Sequence, residues 1–141
     1  MISTAESCTG GMIGNLITNI PGSSSVYKGG IIAYSIFSKE KIFNIDASFL
    51  KEYGAVNSKT VEIMAREALK IFDSDYAISV SGIAGPDTDE FNTPVGTVFF
   101  GIYSKNCDKI IVERKKFSGT REIVKRKASY YILIKLLKKL L

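Results

Sequence analysis

The sequence predicts an α/β fold, a three-layer sandwich in which helices cover both faces of a mixed, mostly parallel sheet. Two observations support this class. Strand-like and helix-like segments alternate over the first half of the chain, which is typical of parallel strands joined by crossover helices. Further along, two strand-like segments joined by a short polar turn predict an antiparallel hairpin, so the sheet is expected to be mixed.

The elements follow from the spacing of apolar residues and from the turn residues between them. The predicted strands are residues 2–6, 26–34, 76–80, 95–103 and 109–117. The predicted helices are residues 11–20, 35–43, 57–72 and 118–141, and residues 45–56 are either irregular or a short helix that Gly54 ends. Gly29 and Gly30 predict a bulge or a close backbone approach in the second strand. Because no repeat or linker divides the chain, we expect a single domain over residues 1–141.

The last helix is predicted to bury one apolar stripe against the sheet. The stripe consists of Ile123, Tyr130, Leu133, Ile134, Leu137 and Leu141. The opposite side carries Lys127, Lys135, Lys138 and Lys139. Arg126 is expected on the apolar side, where it either extends to solvent along its aliphatic stem or contacts an anion.

The net charge of the chain is +5, and much of the basic excess lies between Lys109 and Lys139. A solvated helix face explains such a cluster, while nucleic acid or an anionic substrate are the alternatives. No helix-turn-helix signature or aromatic RNA-binding motif accompanies the charge, so we expect no specific nucleic-acid partner. No apolar run is long enough to cross a bilayer, so we expect no membrane partner either.

The chain contains two cysteines and no histidine. The cysteines have neither zinc-site spacing nor a disulfide pattern, which favours a reducing, cytoplasmic location. The lack of histidine excludes Ser-His-Asp and Cys-His machinery and most catalytic zinc or non-haem iron sites. Acid–base chemistry would therefore use lysine, tyrosine, carboxylates or cysteine, and we expect no metal and no cofactor.

Residues 4–11, Thr-Ala-Glu-Ser-Cys-Thr-Gly-Gly, lead from the first predicted strand into a helix. Small polar residues before a helix are good N-caps, and glycine lets a ligand approach the backbone. The helix N-terminus itself suits a phosphate or a developing oxyanion. Ser7 is therefore either a nucleophile or phosphate ligand, or an ordinary helix cap.

Small-residue turns follow three of the predicted strands, and ligands in open α/β sheets bind beyond the carboxyl ends of strands. If these ends converge, one pocket would hold Ser7, Tyr34, Lys39, Ser81 and an arginine. A lysine kept neutral by burial or by neighbouring cations can serve as the base for a serine nucleophile. The alternative makes Lys39 a surface lysine and Tyr34 a strand-end aromatic residue.

Several segments, in order along nearly the whole chain, resemble the signature of the CinA C-terminal domain family. They are residues 4–11, 21–24, 30–39, 53–56, 81–86, 94–98 and 117–121. The resemblance implies hydrolysis of the carboxamide of nicotinamide mononucleotide, which yields nicotinate mononucleotide and ammonia. The catalytic residues that it implies are Ser7, Tyr34 and Lys39. The substrate-binding residues that it implies are Thr9, Gly10, Gly11, Ser81, Gly82 and Arg121.

The same resemblance gives these positions their roles. Ser7 would attack the amide carbon, and Lys39 with Tyr34 would carry the serine proton to the departing ammonia. Backbone N–H groups near residues 9–11 would hold the oxyanion. Arg121 would hold the 5′-phosphate of the nucleotide.

Three departures from the family pattern matter. Ile36 and Phe37 stand where the family has polar residues; they either help to keep Lys39 neutral or mark a helix that has turned Lys39 to solvent. Thr93 replaces a lysine that often precedes Pro-Val-Gly. The family's helix before the first strand is missing, which would uncover a sheet face or leave it to a partner chain; we therefore expect a homodimer or higher homo-oligomer.

Two other functions fit the same sequence. The first is a shortened relative that binds a nucleotide but turns it over weakly or not at all. The second is an accessory protein in competence or DNA damage, which the basic charge and the family's name suggest.

Overall fold

A single five-stranded sheet organises the computed structural model, which describes residues 1–141. The strands are β1 (Ile2–Glu6), β2 (Tyr27–Ile32), β3 (Tyr76–Gly82), β4 (Thr97–Ser104) and β5 (Lys109–Lys116), in the spatial order β2-β1-β3-β4-β5. Strand β1 pairs in parallel with β2 and β3, and β4 pairs antiparallel with β3 and with β5. Only β4 is therefore reversed, and the prediction of a mixed, mostly parallel sheet is confirmed.

Helices lie on both faces of this sheet, as predicted. They are α1 (Met12–Thr18), α2 (Ile36–Phe43), α3 (Ala47–Tyr53), α4 (Ser58–Phe72) and α5 (Arg121–Leu140). Alternate residues of β3 divide the core: Ala77 packs in the cluster under α4, and Ile78 packs in the cluster under α5. No helix combines the length and the apolar composition that crossing a membrane requires.

Four of the five helices, α2 to α5, begin at a residue whose polar side chain caps them. The side chain of Ser35 accepts a hydrogen bond from the backbone of Ser38 at the start of α2, and Asn57 caps α4 through Thr60 in the same way. Residues 47–53 form a helix whose first turn is capped by Asp46, so the helical alternative for residues 45–56 is confirmed.

The second strand contains the close approach that its glycines predict. The hydroxyl groups of Thr4 and Tyr27 are 2.7 Å apart in a hydrogen bond that crosses the backbone of Gly30. A Cβ atom at residue 30 would lie 2.0 Å from the Thr4 Oγ1 atom, so only glycine fits. The β1–β2 pairing also shifts register between Ile2 and Ser3.

The buried face of α5 differs from the predicted one. The buried residues are Val124, Ala128, Ser129, Ile132 and Leu136. Of the predicted stripe, Leu133 is partly buried, and the exposed members are Ile123, Tyr130, Ile134, Leu137 and Leu141. Arg126 is on the solvent side and pairs with Glu122 at 2.9 Å, so its predicted place on the core side is wrong. The helix carries apolar residues on two sides, and the sheet takes the side with small Ala128 and Ser129, which allow close packing.

Candidate active site

A cavity of about 310 Å³ opens at the edge of the sheet where β1, β2 and β3 end. Six of the predicted site residues line it: Ser7, Tyr34, Lys39, Ser81, Gly82 and Arg121. Parallel strands end at one edge, so the turns after β1, β2 and β3 deliver their side chains to the same place. Strand β5 points the same way, and its end brings Arg121, the first residue of α5, to this cavity.

Ser7 and Lys39 are in direct contact. The Lys39 Nζ atom lies 2.8 Å from Ser7 Oγ, although 32 positions separate the two residues in sequence. Ser7 is 6% exposed and Lys39 is 1% exposed, so the pair lies at the bottom of the cavity. The N-cap of α1 is Gly11, and the Ser7 side chain makes no hydrogen bond to the first turn of this helix, so the helix-cap interpretation of Ser7 is wrong.

Burial sets the ionisation of Lys39. Loss of hydration disfavours the ammonium form and lowers the pKa of Lys39 from 10.5 to about 8, against a smaller opposing effect from Cys8. No carboxylate pairs with the lysine. The ammonium form of Lys39 therefore still predominates at pH 7, and above pH 8 the neutral form, which a general base requires, predominates.

Backbone oxygens orient the Lys39 amine. Its Nζ atom donates to the carbonyl of Ala33 at 2.7 Å and to the carbonyl of Tyr34 at 3.4 Å. A neutral amine has two N–H donors and one lone pair. With both donors directed to these carbonyls, the lone pair is left for the hydroxyl proton of Ser7.

Ile36 and Phe37 do not surround Lys39. Both side chains are exposed on the outer side of α2, while Lys39 points inward. The interpretation that these apolar residues keep Lys39 neutral is therefore wrong, and so is the alternative that Lys39 faces solvent. The core around the end of β2 supplies the burial instead.

Glu6 occupies the position at the N-terminus of α1 that a capping side chain would fill. Its carboxylate is 2% exposed and accepts four hydrogen bonds. The donors are the Thr9 hydroxyl and the backbone N–H groups of Gly11, Ile13 and Gly14, at 2.6–3.1 Å. Glu6 thus fixes the turn that carries Ser7, and it does so because the N-cap residue, Gly11, has no side chain.

These bonds correct the expected role of residues 9–11. The N–H of Gly10 donates to the Ser7 carbonyl at 3.0 Å, and the N–H of Gly11 is held by Glu6, so neither is free for an oxyanion. The two unpaired amides of the turn are those of Cys8 and Thr9. Cys8 lines the cavity, whereas Thr9, Gly10 and Gly11 do not.

The thiol of Cys8 is close to the site but poorly suited to attack. Burial raises its pKa from 9.0 to about 12, because the surrounding apolar groups cannot stabilise a thiolate. The thiol therefore stays protonated where Lys39 is already neutral. Of the two neighbouring nucleophile candidates, the geometry and the pKa values favour Ser7.

Tyr34 and Arg121 meet at the mouth of the cavity. The Arg121 Nη2 atom donates to the Tyr34 hydroxyl at 2.7 Å, and Nη1 donates to the carbonyl of Gly85 at 2.6 Å. The Tyr34 hydroxyl makes no hydrogen bond with Ser7 or Lys39. The structure thus brings Tyr34 to Arg121 through its side chain and to Lys39 only through its backbone.

Ser81 and Gly82 form the wall at the end of β3. The Ser81 hydroxyl donates to the carbonyl of Ala55 at 2.8 Å, which ties this strand end to the loop after α3. A Cβ atom at Gly82 would lie 2.7 Å from the carbonyl oxygen of Thr97, so the wall is tightly packed.

Other residues at the site carried no signal in the sequence. The carbonyl of Ala33 and the amides of Cys8 and Thr9 belong to the backbone, which a sequence pattern does not reveal. Asp87 presents a carboxylate that lines the cavity and has no ion-pair or hydrogen-bond partner. The four groups that donate hydrogen bonds to Glu6 come together only when the turn is folded.

Comparison with known proteins gives a consistent result. A family model described as the CinA C-terminal domain matches residues 1–141. A CinA-like protein of Thermosipho melanesiensis is 45% identical over 128 residues, which are 91% of this chain and 32% of that protein. A nicotinamide-nucleotide amidohydrolase, PncC, of Escherichia coli K12 is 42% identical over 132 residues, which are 94% of this chain and 79% of that protein. The chain thus spans about a third of the CinA-like protein and most of PncC.

Solved structures agree in fold. The competence damage-inducible protein A of Klebsiella pneumoniae has a TM-score of 0.94 at 34% identity, covering 99% of this chain and 85% of that chain. The competence/damage inducible protein CihA of Agrobacterium tumefaciens has a TM-score of 0.92 at 32% identity, covering 98% and 84%. The family match over the full length, together with these relatives, shows that the chain belongs to the CinA C-terminal domain family.

Proposed function

We propose that this protein is an amidohydrolase that converts nicotinamide mononucleotide and water to nicotinate mononucleotide and ammonia. The observation that carries the proposal is the Ser7–Lys39 pair, with its 2.8 Å contact, in a cavity of nucleotide-compatible size. Relatives that are named nicotinamide-nucleotide amidohydrolase and that match over most of their length support the same reaction.

In the first half of the reaction, Ser7 acts as the nucleophile. Neutral Lys39 takes the hydroxyl proton as Ser7 Oγ attacks the carboxamide carbon. The carbonyl oxygen becomes an oxyanion, for which the N–H of Cys8 is a candidate donor, because it makes no backbone hydrogen bond and Cys8 lines the cavity. The Lys39 ammonium then gives its proton to the amide nitrogen, the C–N bond breaks, and ammonia leaves an ester on Ser7.

The second half repeats these steps with water. Lys39, neutral again, takes a proton from a water molecule that attacks the ester carbon. The tetrahedral species collapses, the proton returns to Ser7 Oγ, and the nicotinate product leaves. The cycle uses only side chains and backbone groups of the protein, so the proposal includes neither metal nor cofactor.

Ammonia release from nicotinamide mononucleotide by the purified protein, with and without EDTA, tests this function. We expect EDTA-insensitive release. Ser7→Ala is expected to lower kcat by at least about 10³-fold and to leave substrate binding within about tenfold, because the hydroxyl acts mainly in the transition state. Cys8→Ser is the matched control, and it should slow the reaction far less than Ser7→Ala.

Three results would contradict the proposal in different ways. A folded wild-type protein that binds the nucleotide without releasing ammonia would indicate a binding protein. Inhibition by EDTA would refute the metal-free mechanism. A Cys8→Ser variant as inactive as Ser7→Ala would move the nucleophile to the thiol.

A further inference from the structure

We infer that Tyr34 is a specificity-determining residue that, together with Arg121, clamps the phosphate of the substrate at the cavity mouth and stands outside the proton path. This inference rests on the proposed function. It starts from the contact between the Tyr34 hydroxyl and Arg121, which spans the cavity mouth between the end of β2 and the start of α5.

Arg121 is held in place while most of its donors stay available. A guanidinium carries five N–H donors, and here one is bound by the Gly85 carbonyl and one by the Tyr34 hydroxyl. These two acceptors, one on each terminal nitrogen, fix the plane of the group. The remaining three N–H groups are free to bind a phosphate, which a planar guanidinium fork matches well.

Tyr34 adds a donor of its own. Its oxygen accepts the Arg121 bond, and its O–H proton has no acceptor in the protein. The side chain is 60% exposed, so the hydroxyl faces the entrance rather than the buried Ser7–Lys39 pair. A phosphate oxygen bound at Arg121 is the natural acceptor for this proton. Tyr34 thus orients Arg121 and also contacts the anion.

The contacts of Lys39 agree with a role for Tyr34 in phosphate binding and not in proton transfer. The amine has three oxygen partners, namely Ser7 Oγ and the carbonyls of Ala33 and Tyr34. Proton transfer between Ser7 and Lys39 needs no further relay at a contact of 2.8 Å. The tyrosine hydroxyl is therefore not needed to carry a proton between Ser7 and Lys39.

Kinetics on two substrates test the inference. Nicotinamide mononucleotide carries the 5′-phosphate, and nicotinamide riboside lacks it but presents the same amide. For Tyr34→Phe we expect the KM of the mononucleotide to rise about tenfold with little change in kcat, because one hydrogen bond to a charged group is lost. The kcat/KM of the riboside should hardly change. Tyr34→Phe combined with Arg121→Met should be no worse than Arg121→Met alone, since the two residues act as one unit.

A binding experiment separates this inference from the proposed reaction. Calorimetric titration of both ligands into the Ser7→Ala protein, with and without Tyr34→Phe, requires no turnover. Weaker binding of the mononucleotide alone would support the clamp even if ammonia release failed. Tyr130→Phe, which removes a half-exposed tyrosine hydroxyl on α5 outside the cavity, is the matched control.

Two outcomes would overturn the inference. One is a Tyr34→Phe enzyme whose kcat falls to a similar extent on both substrates, which would return Tyr34 to the proton path. The other is equal binding of the two ligands by the parent Ser7→Ala protein, or no binding of either ligand, which would mean that no phosphate clamp exists.

Discussion

At the scale of single residues, the proposed reaction depends on an uncharged lysine. Lys39 is buried without a carboxylate partner, and its pKa falls to about 8. An ion pair at the same place would raise the pKa and protect the ammonium form. The absence of such a partner leaves the pKa of Lys39 low enough for the base role that we propose for it.

The pH dependence of the reaction follows from this ionisation. In the proposed reaction only neutral Lys39 can accept the Ser7 proton, so kcat/KM should rise with pH through one ionisation near 8 and then level off. Lys39→Arg should abolish the reaction throughout this range, since a guanidinium keeps its proton. The measurement is a pH–rate profile from pH 6 to 10. An active Lys39→Arg enzyme, or a profile flat between pH 7 and 9, would exclude Lys39 as the base.

The residues of the site differ in how well the sequence predicts them. The turns after strands predict that Ser7, Tyr34, Lys39 and Ser81 share one cavity with an arginine, and the family resemblance identifies the arginine as Arg121; all five residues line the cavity. The direction of the Tyr34 side chain was not predictable. It follows the guanidinium of Arg121, a residue 87 positions away whose contact depends on the assembled fold.

At the scale of elements, the turn between β1 and α1 shows how a carboxylate holds the proposed nucleophile, Ser7, in place. Glu6 ends β1 and binds three backbone N–H groups and one hydroxyl beyond Ser7. The chain between them must fold back sharply, so Ser7 is held between two fixed points. The sequence predicts a glycine turn with a polar cap. In the structure the side chain of Glu6, the residue before Ser7, binds the N–H groups at the start of α1.

Helix α5 offers a direct test of its corrected packing. Ile132 is 1% exposed and Ile134 is 52% exposed. The same truncation should therefore lower the free energy of unfolding much more at Ile132 than at Ile134. Ile132→Ala should lower the free energy of unfolding by about 2–4 kcal/mol through lost burial and a cavity. Ile134→Ala should change it by no more than about 0.5 kcal/mol. Urea denaturation of both variants gives the comparison, and equal losses would contradict the observed orientation.

The error in the predicted face of α5 has a physical cause. Two apolar stripes run along this helix, and the more conspicuous one consists of large side chains such as Ile134 and Leu137. The spacing of apolar residues shows which sides of a helix are apolar, but it does not show which side packs more closely against the sheet. The sheet takes the side with Ala128 and Ser129, where the backbone can approach closely.

At the scale of the whole molecule, strand direction decides which residues share the cavity. The β3–β4 and β4–β5 pairings each reverse the chain, so β5 again runs parallel to β1. Its end therefore delivers Arg121 to the edge where Ser7 and Lys39 already lie. The alternation of strands and helices predicts this sheet, and the tight hairpin predicts the double reversal.

The buried lysine should also leave a mark on the stability of the whole fold. Its pKa is 10.5 in a solvated chain and about 8 when folded, so between these values the folded state binds fewer protons than the unfolded state. Unfolding then takes up a proton, and the free energy of unfolding rises with pH across this window by up to about 1.4 kcal/mol per pH unit. Well below pH 8 the free energy of unfolding does not change with pH through this group, because Lys39 is charged in both states.

Comparison of the wild type with Lys39→Met isolates this effect. Cys8 acts in the opposite direction, since its raised pKa of about 12 makes the folded state keep a proton above pH 9, but it does so in both proteins. We therefore expect the stability of the wild type relative to Lys39→Met to increase by about 1 kcal/mol from pH 7 to pH 9. Urea unfolding of both proteins at several pH values measures how this stability difference changes with pH. The hydrogen bonds that Lys39→Met loses add a constant to the difference and do not affect its change with pH. Parallel pH dependences of the two proteins would mean that Lys39 keeps its ordinary pKa in the fold, and the general-base role would fail with it.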